Sequence, residues 1–219
     1  NEETNWEGIH HYFRAEETPC EAVTPDAGFP MIYAEKGIVS YDFEYEAVNE
    51  NGGPFRLIGI KGGEAANSVA AKTVVKIGFD DAATFRNTIE YFVPKNKTDY
   101  RCEMGSNTVE VVFEGRSAHA STPNEGINSI SAALDFLNSV GFSGETGRII
   151  SLINEKIGYE TDGKSLGIKG RDEVTGDLTC NLGKLSYENG KFSATINIRY
   201  PIFFSKETQL DGGHITKRC

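Results

Sequence analysis

The chain has 219 residues, of which 38% are hydrophobic and 25% are charged, and its formal net charge is -10. This composition is typical of a globular protein with one large or two small domains, whereas the acidic charge disfavours binding to nucleic-acid phosphates. No apolar run approaches the roughly 20 residues that a membrane-spanning helix needs. We therefore expect neither a nucleic-acid partner nor a membrane partner.

The four cysteines, Cys20, Cys102, Cys180 and Cys219, are scattered along the chain without a C-x-x-C pair. Such spacing disfavours a thiolate zinc site and is typical of free thiols in a reducing cytoplasm, where we expect the protein to reside. Residue 1 is Asn and not Met. This favours a start inside a longer gene product.

The first predicted element is a helix. Thr4 stands three residues before Glu7, which is the spacing of a capping box, and apolar residues recur at helical intervals as far as Phe13. The pattern predicts a helix from about residue 5 to residue 14. A loop with two prolines follows, and the apolar run at residues 29–34 is predicted to be a short buried strand.

Strands and helices follow in mixed order. Apolar and polar residues alternate with a period of two from Ile38 onwards, which predicts a half-exposed antiparallel strand. The whole pattern indicates an α+β fold of antiparallel sheets with helices packed on one face, and a domain boundary near Gly37. Further strands are predicted at 55–60, 73–77, 100–104, 109–114 and 192–200, and helices after Asp80 or Asp81, along 127–137 and along 149–157.

Carboxylates near the start of the chain are candidate metal ligands. Glu2 and Glu3 are adjacent, so one could bind a metal ion while the other lies beside its bound water; a solvated acidic pair is the alternative. Asp26 precedes the predicted strand at 29–34, where a carboxylate can reach a cation. A turn-forming Asp after Pro25 would explain it equally well.

Three further residues are candidates for contact with a substrate. His119 lies in a loop of small residues, where an imidazole can donate to an oxyanion or act as a general acid, although it could be an ordinary surface histidine. The Gly62-Gly63 break before Asn67 allows the backbone to approach a ligand closely, or forms a plain turn. Arg199 ends the last strand, and its planar fork suits a substrate carboxylate; a solvated cation is the alternative.

Together these segments resemble the co-catalytic metal dipeptidases of the peptidase V and carnosinase type, over about residues 2–201. The resemblance implies that residues 1–37 are part of an α/β catalytic domain and that residues 38–201 form a lid domain of ferredoxin-like units. It assigns no origin to the tail at 202–219. It is carried, in chain order, by Glu2-Glu3-Thr4-Asn5-Trp6, Pro25-Asp26-Ala27, Glu35-Lys36-Gly37, the segment from Gly115 to Pro123, Asn181-Leu182-Gly183 and Asn197-Ile198-Arg199-Tyr200-Pro201.

The resemblance also implies a mechanism, in which a water activated by two divalent metal ions hydrolyses a dipeptide. Zinc is the expected metal, with manganese and cobalt as alternatives. The implied roles are general base for Glu2, ligands of one metal ion each for Glu3 and Asp26, polarisation of the scissile carbonyl for His119, and contacts with the substrate backbone and its terminal carboxylate for Asn67 and Arg199.

The chain departs from this family in its histidines. The family carries an H-x-D motif upstream and a ligand His near its C-terminus, whereas this chain has no H-x-D and only four histidines. We therefore expect an incomplete fragment that is inactive on its own. Two alternatives stay open, namely a non-catalytic lid, binding or assembly module and an N-acyl-amino-acid hydrolase. The strands within 38–77 exceed the lid of dimeric relatives and are expected to form a sheet that covers the pairing edge, which predicts a monomer.

Overall fold

The computed structural model describes residues 6–21, 31–46 and 53–202, and the chain divides into two compact units, residues 1–33 and 34–219. In the first unit, helix α1 spans Glu7–Ala15, close to its predicted range. Its N-cap is Trp6, in a left-handed conformation and without a side-chain cap. Thr4, on which the predicted capping box depends, lies outside the described residues.

The predicted strand at residues 29–34 is wrong for the part that the structure describes. Met31 to Ala34 form no strand, and the side chains of Met31 and Tyr33 are 73% and 78% exposed. Residues 29 and 30 lie outside the described residues. The apolar run alone does not specify a neighbouring strand that would satisfy the backbone hydrogen bonds.

In the part of the second unit that the structure describes, seven strands form one antiparallel sheet, in the order β1-β9-β8-β2-β3-β5-β4. A separate two-stranded hairpin of β6 and β7 precedes β8. The strands are β1 (Gly37–Glu46), β2 (Phe55–Gly62), β3 (Lys72–Phe79), β4 (Asp99–Met104), β5 (Thr108–Glu114), β6 (Arg171–Asp172), β7 (Gly176–Asp177), β8 (Thr179–Glu188) and β9 (Lys191–Tyr200).

Among the described residues, three α-helices cover one face of this sheet. They are α2 (Ala82–Ile89), α3 (Ser129–Val140) and α4 (Gly144–Lys156), and α3 packs on β2, β3, β5 and β8. The side chains of Asp81 and Asn128 cap α2 and α3 by accepting from backbone amides, which satisfies donors that the first turn leaves open. The expected α+β fold with helices on one face is therefore confirmed.

Period-two alternation places the apolar side chains of the strands beneath the helices. On β9, Phe192, Ala194, Ile196 and Ile198 belong to the core, and the residues between them point to the opposite face. Burying such side chains provides most of the driving force for folding. The same alternation orients Asn197 and Arg199 away from the helices.

Two features of the sheet differ from expectation. The strands within 38–77 join the single large sheet and do not form a separate one, since β1 pairs with β9 while β2 and β3 lie at its centre. Strand β8, which the alternation did not predict, lies beside β9 and has a register shift between Leu182 and Lys184. Gly183 occupies that bulge.

One end of the sheet gathers the connections on which the candidate residues lie. Strand β1 and strand β8 begin there and β9 ends there, as the pairings of Gly37 with Tyr200 and of Thr179 with Arg199 show. The β2–β3 connection (63–71) and the β5–α3 connection (115–128) lie at the same end, because Gly62 pairs with Thr73 and Lys72 pairs with Glu114. We call this the His119 end of the sheet.

None of the helices in the described ranges is both long and apolar enough to cross a membrane.

Candidate substrate-binding site

The backbone of His119 is held from both sides by the β2–β3 connection. The amide of Val69 donates to the carbonyl of Ala118 at 2.8 Å, and the amide of Ala120 donates to the carbonyl of Asn67 at 2.9 Å. The buried Ala120 also accepts from the hydroxyl of Thr179 on β8, at 3.0 Å. The loop is thus fixed to two elements, while the imidazole itself is exposed.

Contacts with Ser121 indicate which ring nitrogen of His119 carries the proton. The Nδ1 atom lies 2.6 Å from the Ser121 hydroxyl and 3.4 Å from the Ser121 backbone amide nitrogen. A backbone N–H can only donate, so the nitrogen that faces it acts as an acceptor. In the neutral ring, this contact favours the tautomer with hydrogen on Nε2, which is then available to donate to another group.

Arg199 lies next to that donor. Its Nη2 atom is 3.5 Å from Nε2 of His119, and its Nε atom donates to Oδ1 of Asn197 at 3.1 Å. The guanidinium can only donate, so its contact with Nε2 is a hydrogen bond only in the tautomer that carries its hydrogen on Nδ1. In the tautomer that carries its hydrogen on Nε2, two donors lie side by side at the His119 end of the sheet, in a geometry that suits neighbouring acceptors on one bound molecule.

Asn67 is half-buried in the β2–β3 connection, and its backbone carbonyl accepts from the amide of Ala120, the residue after His119. The preceding Gly63 has a φ of +73, and a Cβ at this position would lie 1.8 Å from the carbonyl oxygen of Gly183 on β8. The glycine break thus allows a close approach to a neighbouring strand.

The structure brings together three of the six candidate residues, namely Asn67, His119 and Arg199. Glu2, Glu3 and Asp26 lie outside the described residues. Within 6–21, 31–46 and 53–202, no three His, Cys, Asp or Glu side chains are grouped so that they could hold a metal ion.

Sequence patterns did not identify the hydrogen-bonding partners of these residues. Ser121 contacts the ring of His119, Asn197 contacts Arg199, and Asn181 donates to two carbonyls of the β2–β3 connection. Both asparagines stand in segments that carry the resemblance, which is the signal that could have identified them. Their contacts depend on the fold, so the sequence alone assigned them no role.

A cleft of about 220 Å³ lies between the loops at 123–128 and 157–161 and the start of β8. Two asparagines of its lining already hold parts of the fold together. Asn128 donates to the carbonyl of Leu182, and Asn96 donates to the carbonyl of Asn128. His119 and Arg199 do not line this cleft, so it is separate from the two donors.

Comparison with known proteins identifies relatives of this unit. The family model of a peptidase dimerisation domain of the M20 type matches residues 103–210. A Beta-Ala-Xaa dipeptidase of Lactobacillus delbrueckii subsp. lactis is 33% identical over 202 residues, which cover 92% of this chain and 43% of that protein.

A second relative comes from Staphylococcus aureus strain USA300 and carries a provisional dipeptidase name. It is 31% identical over 220 residues, which cover 96% of this chain and 46% of that protein. A protein of Staphylococcus aureus strain bovine RF122 / ET3-1 with the same provisional name matches to the same extent. The chain spans less than half the length of the relatives it matches.

Proposed function

Because the chain belongs to the M20 peptidase family, we propose that it provides the substrate-binding lid of a metal-dependent dipeptidase. The whole enzyme would have the length of the relatives. Within it, residues 1–37 would belong to the catalytic part and residues 38–201 to the lid, and this chain alone would be inactive.

The observation that carries this proposal is the pair of donors formed by His119 and Arg199, whose Nε2 and Nη2 atoms are 3.5 Å apart. In a dipeptide, only an amide nitrogen and one Cα separate the scissile carbonyl from the terminal carboxylate. Two neighbouring donors suit these two neighbouring acceptors. In a long peptide, most scissile bonds have no carboxylate at this distance.

The proposed division of roles follows from the chemistry of each donor. Arg199 would bind the terminal carboxylate with its planar fork. His119 would donate from Nε2 to the carbonyl oxygen as negative charge develops there, which is where a donor lowers the barrier most. Asn67 would contact the substrate backbone.

The residues near the start of the chain complete the proposal. Glu3 and Asp26 would each contribute one ligand to a pair of divalent ions, with zinc as the expected metal and manganese or cobalt as alternatives. Such ions would supply an activated water, and Glu2 would take its proton.

Beta-alanyl dipeptides are the first substrates to test, because they give one relative its name. An N-acyl amino acid also places a carboxylate next to its scissile amide, so the donor pair alone does not distinguish the two substrate classes. Profiling of the full-length protein on beta-alanyl dipeptides, other dipeptides and N-acetyl amino acids decides between them. Binding of a dipeptide without turnover would instead favour a binding module.

His119→Ala provides the direct test of mechanism in the full-length enzyme. Loss of one donor to a developing oxyanion costs about 10²–10³-fold in kcat, and we expect a loss of this size with unchanged metal content. Arg148→Ala, at an exposed position of helix α4, is the control and should retain turnover. Normal kcat in His119→Ala would contradict the proposed role.

A further inference from the structure

Two buried asparagines face each other across neighbouring strands at the His119 end of the sheet. Asn181 of β8 and Asn197 of β9 are Cα partners, and only 2% and 3% of their surfaces are exposed. A buried amide is costly unless its polar atoms are hydrogen-bonded. The hydrogen bonds of Asn197 connect it to Arg199, and those of Asn181 connect it to the loop that holds His119.

Asn197 holds the guanidinium of Arg199. Its Oδ1 accepts from Nε of Arg199 at 3.1 Å, while its Nδ2 donates to the hydroxyl of Ser40 on β1 at 2.9 Å. Since Nε–H can only donate, the amide oxygen must face Arg199. The bond fixes one edge of the guanidinium plane, and Nη2 then lies beside His119.

Asn181 holds the loop on which the backbone of His119 depends. Its Nδ2 donates to the carbonyls of Ala66 at 3.2 Å and Ser68 at 2.9 Å. These residues flank Asn67, whose carbonyl accepts from Ala120 next to His119. The amide group of Asn181 therefore acts on His119 through one connecting segment.

The oxygen of Asn181 supports the same interpretation. Among the residues that the structure describes, no donor lies within hydrogen-bonding distance of this buried Oδ1. A buried acceptor without a partner destabilises the fold. The two donated bonds to the β2–β3 connection are therefore the hydrogen bonds by which this side chain acts on its surroundings.

We propose that Asn181 and Asn197 are paired positioning residues, of which Asn197 orients Arg199 and Asn181 orients the loop of His119. Neither would touch the substrate. This inference rests on the proposed function for its effect on catalysis, whereas the placement of the two side chains is independent of it.

Replacement by Asp distinguishes the two roles, because Asp has the size of Asn but only accepts when ionised. Asn197→Asp keeps the acceptor that faces Arg199. Asn181→Asp places an acceptor against two carbonyls. We therefore expect the enzyme to keep its activity with Asp at position 197 and to lose activity with Asp at position 181. Asn197→Leu, which removes the acceptor at similar size, completes the set, and the exposed Asn138→Asp on α3 is the control.

Kinetics of the full-length enzyme on free dipeptides and on dipeptide amides provide the first measurement. Loss of a hydrogen bond to a charged group typically costs about 10–100-fold, and we expect this loss of kcat/KM for Asn197→Leu on free dipeptides, with a smaller loss on amides, which lack the carboxylate. Asn197→Asp should retain more activity than Asn197→Leu. Asn181→Asp should lower kcat on both substrates alike. If Asn197 had only a structural role, Asn197→Leu would lower kcat/KM equally on free and amidated dipeptides. That result would overturn the proposal.

Nuclear magnetic resonance of this chain provides the second measurement and needs no activity. The Nε–H signal of Arg199 should exchange slowly with water in the wild type and in Asn197→Asp, and rapidly in Asn197→Leu. An unchanged exchange rate in Asn197→Leu would refute the role of Asn197. If the full-length wild type hydrolyses no dipeptide, the proposed function fails, while this exchange rate still decides how Arg199 is held.

Discussion

At the scale of single residues, Ser121 determines the hydrogen-bonding state of His119. Its hydroxyl lies 2.6 Å from Nδ1, closer than its amide nitrogen at 3.4 Å. In Ser121→Ala only the longer contact remains, so we expect a larger fraction of the tautomer that carries its hydrogen on Nδ1. Nitrogen-15 shifts of the ring measure this fraction directly.

The same variant should affect the full-length enzyme. Loss of one hydrogen bond of about 0.5–1.5 kcal/mol corresponds to a decrease of roughly 2–10-fold in kcat. Ser117→Ala is the matched control, because Ser117 lies in the same loop and contacts Ser68 and not the ring. Equal effects of both variants on the tautomer would show that Ser121 has no specific role.

Cys180 makes the stability of the second unit sensitive to alkaline pH. Burial raises the pKa of its thiol from 9.0 to about 12. The folded state therefore keeps the proton to higher pH than the unfolded state does. The free energy of unfolding should be unaffected by this group below pH 9 and should fall between about pH 9 and pH 12.

Urea titrations at several pH values measure this effect, and Cys180→Ala is the reference that lacks the thiol. The decrease between pH 9 and pH 12 should be smaller in the variant than in the wild type. If the free energy of unfolding fell equally with pH in both proteins, Cys180 would not contribute to the pH dependence.

The exposed Cys20 should react with iodoacetamide in the folded protein, whereas Cys180 should not.

At the scale of elements, Gly63 allows the β2–β3 connection to pack on β8. Gly63 and Gly141 have similar φ angles, +73 and +78, but a Cβ would clash with Gly183 only at Gly63 and would meet no atom within 4 Å at Gly141. Both alanine variants incur the cost of a left-handed conformation, about 1 kcal/mol. Gly63→Ala should lose about 1–3 kcal/mol more from the clash, which urea unfolding measures. Equal losses would mean that the backbone shifts freely.

The elements that the sequence predicted well are those with unbroken periodicity. Strand β9 alternates over its whole length and was predicted almost residue for residue, and α3 follows its apolar stripe. Strand β8 was missed because Gly183 in the bulge interrupts the alternation between Leu182 and Leu185. A bulge depends on the partner strand, so periodicity alone does not reveal it.

The candidate site was predictable to a similar extent. The reactive side chains of His119 and Arg199 stand out by chemical type. The supporting amides of Asn181 and Asn197 do not, because an asparagine is far more often an exposed or turn residue than a buried hydrogen-bonding group. Only the register of β8 against β9 shows that they face each other.

At the scale of the whole molecule, the state of association stays a prediction. The matching family model is named for dimerisation, whereas the sequence predicted a monomer from an additional sheet over the pairing edge, which the described strands do not form. Among the described residues β1 forms one edge of the sheet, and it carries Asp42, Glu44 and Glu46 on one face. Two copies paired along this edge would bring the like charges of Asp42 and Glu46 together, which opposes association, while Glu44 forms an ion pair with Lys191.

Light scattering of the full-length protein tests this prediction. We expect a monomer for the wild type. Neutralising the edge with Asp42→Asn, Glu44→Gln and Glu46→Gln should increase association. Matched replacements on the opposite edge strand, Asp99→Asn and Glu103→Gln, serve as the control. A stable wild-type dimer with its contact along the sheet would show that the monomer prediction is wrong.

The pairing of β1 with β9 has a consequence for protein engineering. Gly37 and Tyr200 are Cα partners, so the two ends of the sheet unit lie roughly 5 Å apart. A unit with adjacent ends tolerates circular permutation. A short linker between residues 37 and 200, with new termini in the exposed turn at Asn189-Gly190, should yield a permuted protein with the same sheet. The same adjacency allows the unit to be inserted into a surface loop of another protein without separating the two sides of that loop.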